Sequence, residues 1–203
     1  WVMKTRDQRT VRGSALALLH GQDTMEYYGA LASNPRLVHN IHISKADRIT
    51  EAALAERLDS RDADQLRIAY AGRVEEIKGP DHWTAAIGKA QDQGVNARAT
   101  WYGTGTLYEE QSAKLAASPL AETIRFAGFM AHRDMLPELH RADLFLFTHM
   151  TEESPRCLIE ALSAGLPLVG YDSAYARDLV KGSDAGLFVP RGDIDALANA
   201  LKT

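Results

Sequence analysis

The 203-residue sequence has a single cysteine, Cys157, so an internal disulfide is excluded, as fits a reducing compartment. No apolar run approaches the roughly 20 residues of a membrane-spanning helix, and no secretory signal pattern is visible. Cationic excess is lacking too. The formal net charge is -4, which argues against a general nucleic-acid binder. The seven histidines are scattered and Cys157 stands alone, so no metal-ligand spacing can be read. His39, His42, His132, His140 and His149 read as surface or packing residues, with His132 placed just ahead of a helix where a ligand could approach. No Gly-x-Ser-x-Gly turn supports Ser14, Ser44 or Ser163 as a nucleophile. Internal repeats and low-complexity segments are absent.

What remains is the composition of an ordinary globular protein, 45% hydrophobic and 25% charged. A chain of this length can bury a substantial core without a disulfide or a structural metal. It starts at Trp1 and stops at Thr203 inside a helical pattern, and is read as part of a longer polypeptide. Residues 1–65 are irregular. A short helix capped by Asp23 is expected over 23–32, a turn at Asn34-Pro35, a strand over 37–43 and a helix over 51–58. A charged linker then runs from 59 to 65. This stretch is too short for a domain and is read as the tail of an upstream lobe plus a hinge.

From Leu66 the pattern becomes regular. Strands are expected at 66–71, 96–102, 123–127, 143–147, 166–170 and 186–189. Helices are expected between and after them at 80–93, 107–117, 133–141, 155–164, 175–180 and 194–201. This alternation, with near-continuous apolar strands, predicts an α/β domain over 66–203. Its sheet is Rossmann-like and parallel, with helices on both faces. Ligands of such sheets bind beyond the carboxyl ends of the strands, where strand order reverses. The informative residues therefore follow each strand.

After the first strand come Gly72-Arg73 and Lys78-Gly79-Pro80. Two cations beside a helix N-terminus suit a diphosphate, although both could equally be solvated charges partnered by Glu75 and Glu76. After the second strand, Gly103-Thr104-Gly105 lets backbone approach a ligand, or simply makes a tight turn. The fourth strand leads into the most specific stretch, from Thr148 to Val169. Here Glu152 lies in a loop, Pro155 opens a helix, and Glu160 sits inside that helix. Glu152 can hydrogen-bond sugar hydroxyls, or merely favour the helix N-terminus. Glu160 is flanked by Leu158, Ile159, Ala161 and Leu162. A carboxylate on so apolar a helix needs a partner, and the hydroxyls of a ribose would supply one.

In this order Gly72-Arg73, Lys78-Gly79, Gly103-x-Gly105, Phe126-Ala127-Gly128-Phe129, Ala142-Asp143 and Glu152-x7-Glu160-Ala161-Leu162-x-x-Gly165-x-Pro167 resemble the C-terminal lobe of glycosyltransferase family 4. This is the glycosyl transferases group 1 domain of the GT-B fold. The resemblance covers residues 66–203. It implies that Arg73 and Lys78 hold a donor diphosphate, Glu160 the ribose hydroxyls and Glu152 the transferred sugar. Gly72 and Gly103 would let the ligand close, and backbone around Phe129 and Met130 would meet the base. The segment Ser154, Pro155, Arg156, Cys157 and Leu158 would line sugar and phosphate through its amides. Many family members carry Gly-Phe-Gly after the first glutamate, where this chain has Glu153-Ser154-Pro155, and the proline removes one amide donor.

The implied activity is a retaining, metal-independent glycosyltransferase of the hexosyltransferase type, working in polysaccharide biosynthesis. It would move sugar from a nucleotide-diphosphate sugar to a carbohydrate or lipid-linked acceptor held mostly by an N-terminal lobe. The donor-binding part alone would be inactive in transfer. The location implied is cytoplasmic, with peripheral contact at the inner membrane. Fixed donors aimed at the charge on the departing nucleotide diphosphate would supply the main catalytic contribution. Two other readings are a lobe that binds nucleotide-sugars without catalysis and a GT-B epimerase or phosphorylase. The joint presence of Arg73, Lys78, Glu152 and Glu160 favours the transferase.

Overall fold

The computed structural model of the chain describes residues 2–39 and 43–202. From Leu66 onward it is a six-stranded parallel sheet wrapped by helices. The strands are β3 (Leu66–Ala71), β4 (Ala97–Tyr102), β5 (Ile124–Gly128), β6 (Leu144–Phe147), β7 (Leu168–Tyr171) and β8 (Gly186–Val189), in the order β5-β4-β3-β6-β7-β8. Between them run α4 (Pro80–Asp92), α5 (Tyr108–Ala116), α6 (His132–Leu139), α7 (Arg156–Ser163) and α8 (Ala174–Leu179), and α9 (Ile194–Ala200) follows β8. The expected elements all form, with ends shifted by a residue or two.

The central strands lie inside because both of their faces are apolar. All four residues of β6, Leu-Phe-Leu-Phe, are buried, as are all four of β7. Covering helices on each face are the only way to dry such strands. Helix α4 shows how this happens. Gly79 takes φ 64°, a left-handed turn that suits glycine, and Pro80 then opens the helix. The helix buries Trp83, Ala86, Ile87 and Ala90. Trp83 donates its indole N–H to the Leu146 carbonyl at 3.1 Å and meets Trp101 edge-on, with ring centroids 5.4 Å apart.

The strand order places the switch point between β3 and β6. The chain winds outward from β3 to β5, returns to β6 beside β3, and winds outward again to β8. At the amino ends of these two strands the Asp143 carboxylate takes Arg67 in a fork, from Nε at 3.1 Å and Nη2 at 3.0 Å, and also accepts the Arg67 backbone N–H at 2.7 Å. This clamp holds the pair shut at the bottom. At the top the two strands part, and the crevice opens there.

Residues before 66 stand apart from this sheet. They form α1 (Val2–Gly13), β1 (Ala17–His20), α2 (Gln22–Tyr28), β2 (Pro35–Val38) and α3 (Glu51–Asp59). Strands β1 and β2 pair in parallel with each other. Three expectations need correction. Helix α1 lies where no regular element is expected, because its charged sequence VMKTRDQRTVRG has no apolar stripe to reveal it. Helix α2 is capped at Gly21 rather than Asp23, which falls inside the helix, and its last turn tightens into a 3-10 turn at Gly29–Leu31. The strand expected over 37–43 spans Pro35–Val38 instead. Residues 40–42, with the reading of His42, lie outside the described residues. The segment is tied to the larger sheet domain by Arg57, which donates to the carbonyls of Ala164 at 3.0 Å and Gly165 at 2.6 Å, and by the Ile49 N–H, which donates to Ser163.

Candidate functional site

A cavity of about 700 Å³ sits at the carboxyl ends of the central strands. Its size is that of a small-molecule site. Its floor is the loop after β3. Gly72 is held there by its N–H to the Tyr102 carbonyl at 2.9 Å, and its own carbonyl accepts Trp101 Nε1 at 2.9 Å. Gly103 follows β4 at φ 140°. A Cβ there would stand 2.1 Å from the Gly72 carbonyl oxygen, so the two loops can touch only because this residue has no side chain.

The two expected cations differ in setting. Arg73 reaches into solvent, with 70% of its side chain exposed and Glu75 3.8 Å away. Lys78 is 8% exposed. It ends a 3-10 turn, Glu76–Lys78, locked from below by Thr148. The Thr148 hydroxyl, fully buried at the end of β6, donates toward the carbonyls of Lys78 at 2.8 Å and Gly79 at 2.9 Å. One buried hydroxyl therefore ties the β6 end to the lysine loop across the switch point. The Lys78 ammonium is paired with Glu153 at 2.5 Å.

The β6–α7 loop forms the opposite wall. Pro155 is the cap residue of α7, with φ -75° and ψ 123°, and the helix starts at Arg156. Ser154, Pro155, Arg156 and Cys157 all line the cavity. Leu158 does not, and this corrects an expectation. Its side chain is fully buried, and its N–H donates to the Pro155 carbonyl at 3.2 Å, so this amide is engaged within the helix. Glu160 lies one turn further and faces the cavity with 16% of its side chain exposed, 3.9 Å from His132 Nδ1. The expected position of Glu152 also needs correction. It lies outside the cavity, half exposed, in an ion pair with Arg191 from the β8–α9 loop, which also reaches the Asp172 carbonyl. The carboxylate inside is that of Glu153.

Beneath Lys78 lies a buried polar cluster. Tyr70 OH and His149 Nε2 are 2.7 Å apart, and both residues are closed to solvent. Burial, with Lys78 and Arg191 nearby, holds the His149 imidazole well below its usual range, so it is neutral. Burial also pushes the Tyr70 phenol well above its usual range and the Cys157 thiol up to about 12. Cys157 is thus a neutral wall residue, not a nucleophile.

The fold therefore brings together Gly72, Arg73, Lys78, Gly103, Phe129, Met130, Ser154, Pro155, Arg156, Cys157 and Glu160. Phe129, with 81% exposure, is a bare aromatic face at the rim. Residues missed by sequence reasoning are Glu153, Tyr70, Tyr102, Thr104, Met135 and His20. Tyr70, Tyr102 and Thr104 carry the same strand-end signal as their neighbours. His20 ends β1, in a segment too irregular for that signal to be read. Among the described residues no group of three or more His, Cys, Asp or Glu side chains is placed to share a metal ion. No described helix is long and apolar enough to cross a membrane.

A parallel sheet with a ligand-sized cavity at its switch point defines a Rossmann-like lobe, here of GT-B type. The chain belongs to the glycosyl transferases group 1 family, whose model matches residues 65–203. It is 25% identical over 98% of its length to the amylovoran biosynthesis glycosyltransferase AmsK of Erwinia amylovora, of which it covers 56%. It is 32% identical over 66% of its length to the 2-deoxystreptamine N-acetyl-D-glucosaminyltransferase of Streptomyces fradiae, of which it covers 32%. The chain thus spans about a third to just over half the length of these relatives. Among solved structures, Anabaena Alr3699/HepE in complex with UDP superposes with a TM-score of 0.76 at 20% identity, over 97% of this chain and 57% of that one. Sucrose-phosphate synthase from Thermosynechococcus elongatus superposes with a TM-score of 0.76 at 19% identity, over 98% and 52%. These likenesses agree on the GT-B fold.

Proposed function

We propose that this chain is the donor-binding part of a retaining glycosyltransferase that moves a hexosyl group from a nucleotide-diphosphate sugar. The observation that carries the reading is the convergence of Lys78, Arg73, the amino end of α7 and the sheltered Glu160 on one cavity. Cations and free helix N–H groups suit a diphosphate. A sheltered carboxylate one turn into a helix suits paired ribose hydroxyls, and the bare ring of Phe129 suits a nucleobase. The solved relative with UDP bound supports a uridine nucleotide as the first ligand to try.

In the reaction the bond to the anomeric carbon breaks and negative charge collects on the leaving diphosphate. Lys78 and Arg73 lie where that charge would develop, and a preorganised cation is worth more there than in water. No divalent metal is needed in this scheme. Residues 1–65 are assigned to an acceptor lobe and its hinge, and transfer would require that lobe whole. The relative named for amylovoran biosynthesis supports a carbohydrate acceptor; a lipid-linked acceptor met at the cytoplasmic face of a membrane is part of the same proposal.

Thermal shift with UDP-, GDP- and ADP-sugars, with and without EDTA, tests this reading, because a ligand of the native state raises its melting point. One class of nucleotide-sugar should stabilise the protein equally in both conditions. No shift with any of them would overturn the donor role. A shift abolished by chelation would overturn metal independence.

A further inference from the structure

The Lys78–Glu153 pair is the feature that the donor reading leaves unexplained. Lys78 is the most sheltered cation of the cavity, and its ammonium is already neutralised, with Glu153 Oε2 at 2.5 Å. A diphosphate must compete for this lysine with Glu153, which already holds one of its three N–H donors and neutralises its charge. The lysine cannot stay buried without a counter-charge, since an unpaired buried cation is costly. The other oxygen of Glu153 is itself unsatisfied. Oε1 is buried without a hydrogen bond, 3.7 Å from His149 Nδ1. In the tautomer in which Tyr70 donates to Nε2, the neutral His149 presents its Nδ1–H toward this oxygen. The carboxylate therefore has a second partner within a small rotation.

We infer that Glu153 is a built-in counter-anion of the diphosphate subsite. It pairs with Lys78 when the site is empty, and an incoming nucleoside diphosphate must displace it toward His149. Resting on the donor reading above, this makes Glu153 a specificity-determining residue. It weakens binding of any phosphate-bearing ligand and leaves the nucleoside part alone. It also favours release of the nucleoside diphosphate product, because the carboxylate competes to regain the lysine. Glu153 belongs to the Glu153-Ser154-Pro155 segment and owes nothing to the Glu152–Glu160 spacing.

The test is calorimetric titration of wild type, Glu153→Gln, Lys78→Met and the double variant. The ligands are UDP, GDP and ADP, each compared with its own nucleoside. The diphosphate that binds wild type should bind Glu153→Gln about tenfold tighter, with nucleoside affinity unchanged. The gain should vanish in the Lys78→Met background, which a merely structural role for Glu153 would not produce. Equal or weaker diphosphate binding by Glu153→Gln would overturn the inference while leaving the donor reading intact. Failure of the donor reading looks different: no diphosphate would be preferred over its nucleoside by wild type, and Lys78→Met would change nothing. If Glu153→Gln melts before it can be titrated, Glu153→Asp keeps the charge but withdraws it by one methylene. It should then bind the diphosphate about threefold tighter, and no gain there would equally overturn the inference.

Discussion

Replacing Thr148 by valine removes one hydroxyl from the best-sheltered joint between fold and site. The shape is kept, so no cavity forms. The hydroxyl spans two carbonyls, those of Lys78 and Gly79. Gly79 does not depend on it, because its carbonyl also accepts the Trp83 N–H at 3.0 Å. The Lys78 carbonyl loses its side-chain donor on a residue that is 8% exposed. An acceptor stranded in this way costs about 1–3 kcal/mol. Burying a methyl in place of the hydroxyl offsets part of this, so a net loss of about 1–2 kcal/mol is expected. For a chain of this size that is roughly 2–8 °C in melting temperature. Thr148→Ser is the control. It keeps the donor and loses a methyl, at about 0.8 kcal/mol. Stability alone would not separate the two variants, but the ligand would. In the valine variant the Lys78 turn is released and nucleoside diphosphate should bind several-fold more weakly, whereas the serine variant should bind as wild type. Melting curves and calorimetric titration of both variants decide it. A valine variant that melts and binds like the serine variant would show that this hydroxyl does not seat the lysine.

Gly103→Ala should be among the most damaging single changes, costing at least about 2 kcal/mol by chemical denaturation, because its Cβ would fall 2.1 Å from a carbonyl oxygen at a φ of 140°; a fully stable alanine variant would refute the close approach of the two loops. Glu160→Gln should weaken nucleoside diphosphate and nucleotide-sugar alike, by roughly ten- to hundredfold, the cost of a lost charged acceptor. Glu152→Gln loses only an ion pair with Arg191 outside the cavity, so both ligands should bind as they do to wild type, and a loss confined to the nucleotide-sugar would show that Glu152 reaches the transferred sugar. The neutral, buried His149 takes up a proton less readily folded than unfolded, so stability should fall as pH drops below about 6.5, by up to roughly 1.4 kcal/mol per unit for this one group. His140, lowered by burial and by Arg57, adds in the same direction. His149→Gln should flatten the acid limb of a stability-versus-pH curve, and an unchanged limb would refute the assignment.

How far the sequence could be read varied with the kind of signal. The β-α alternation from Leu66 was legible because its central strands, such as Leu-Phe-Leu-Phe in β6, are continuous apolar runs and several helices have a start or stop residue beside them, such as Pro80 or Gly165. Helix α1 was not legible, since its charged sequence carries no apolar periodicity to find. Strand-end residues such as Gly72, Arg73 and Gly103 could be named before the fold was seen, because a parallel sheet gathers them at one edge. Leu158 was misjudged, since counting amides along a segment does not reveal which N–H the helix has already used.

The motif Glu152-x7-Glu160 was visible as spacing, but spacing gives no direction. Consecutive side chains of non-helical backbone diverge, so one of two adjacent glutamates enters the cavity and the other faces Arg191, a residue 39 positions away. The sequence by itself determined the fold class and the strand-end position of the ligand crevice, which follow from local hydrophobic pattern, and the family, which follows from the ordered motifs between Gly72 and Pro167; the strand order came from the tertiary structure. Only the tertiary structure decided that Glu153, not Glu152, sits on Lys78. That choice depends on which charges the fold brings together across 75 residues of chain, and on burial that makes leaving Lys78 unpaired too costly.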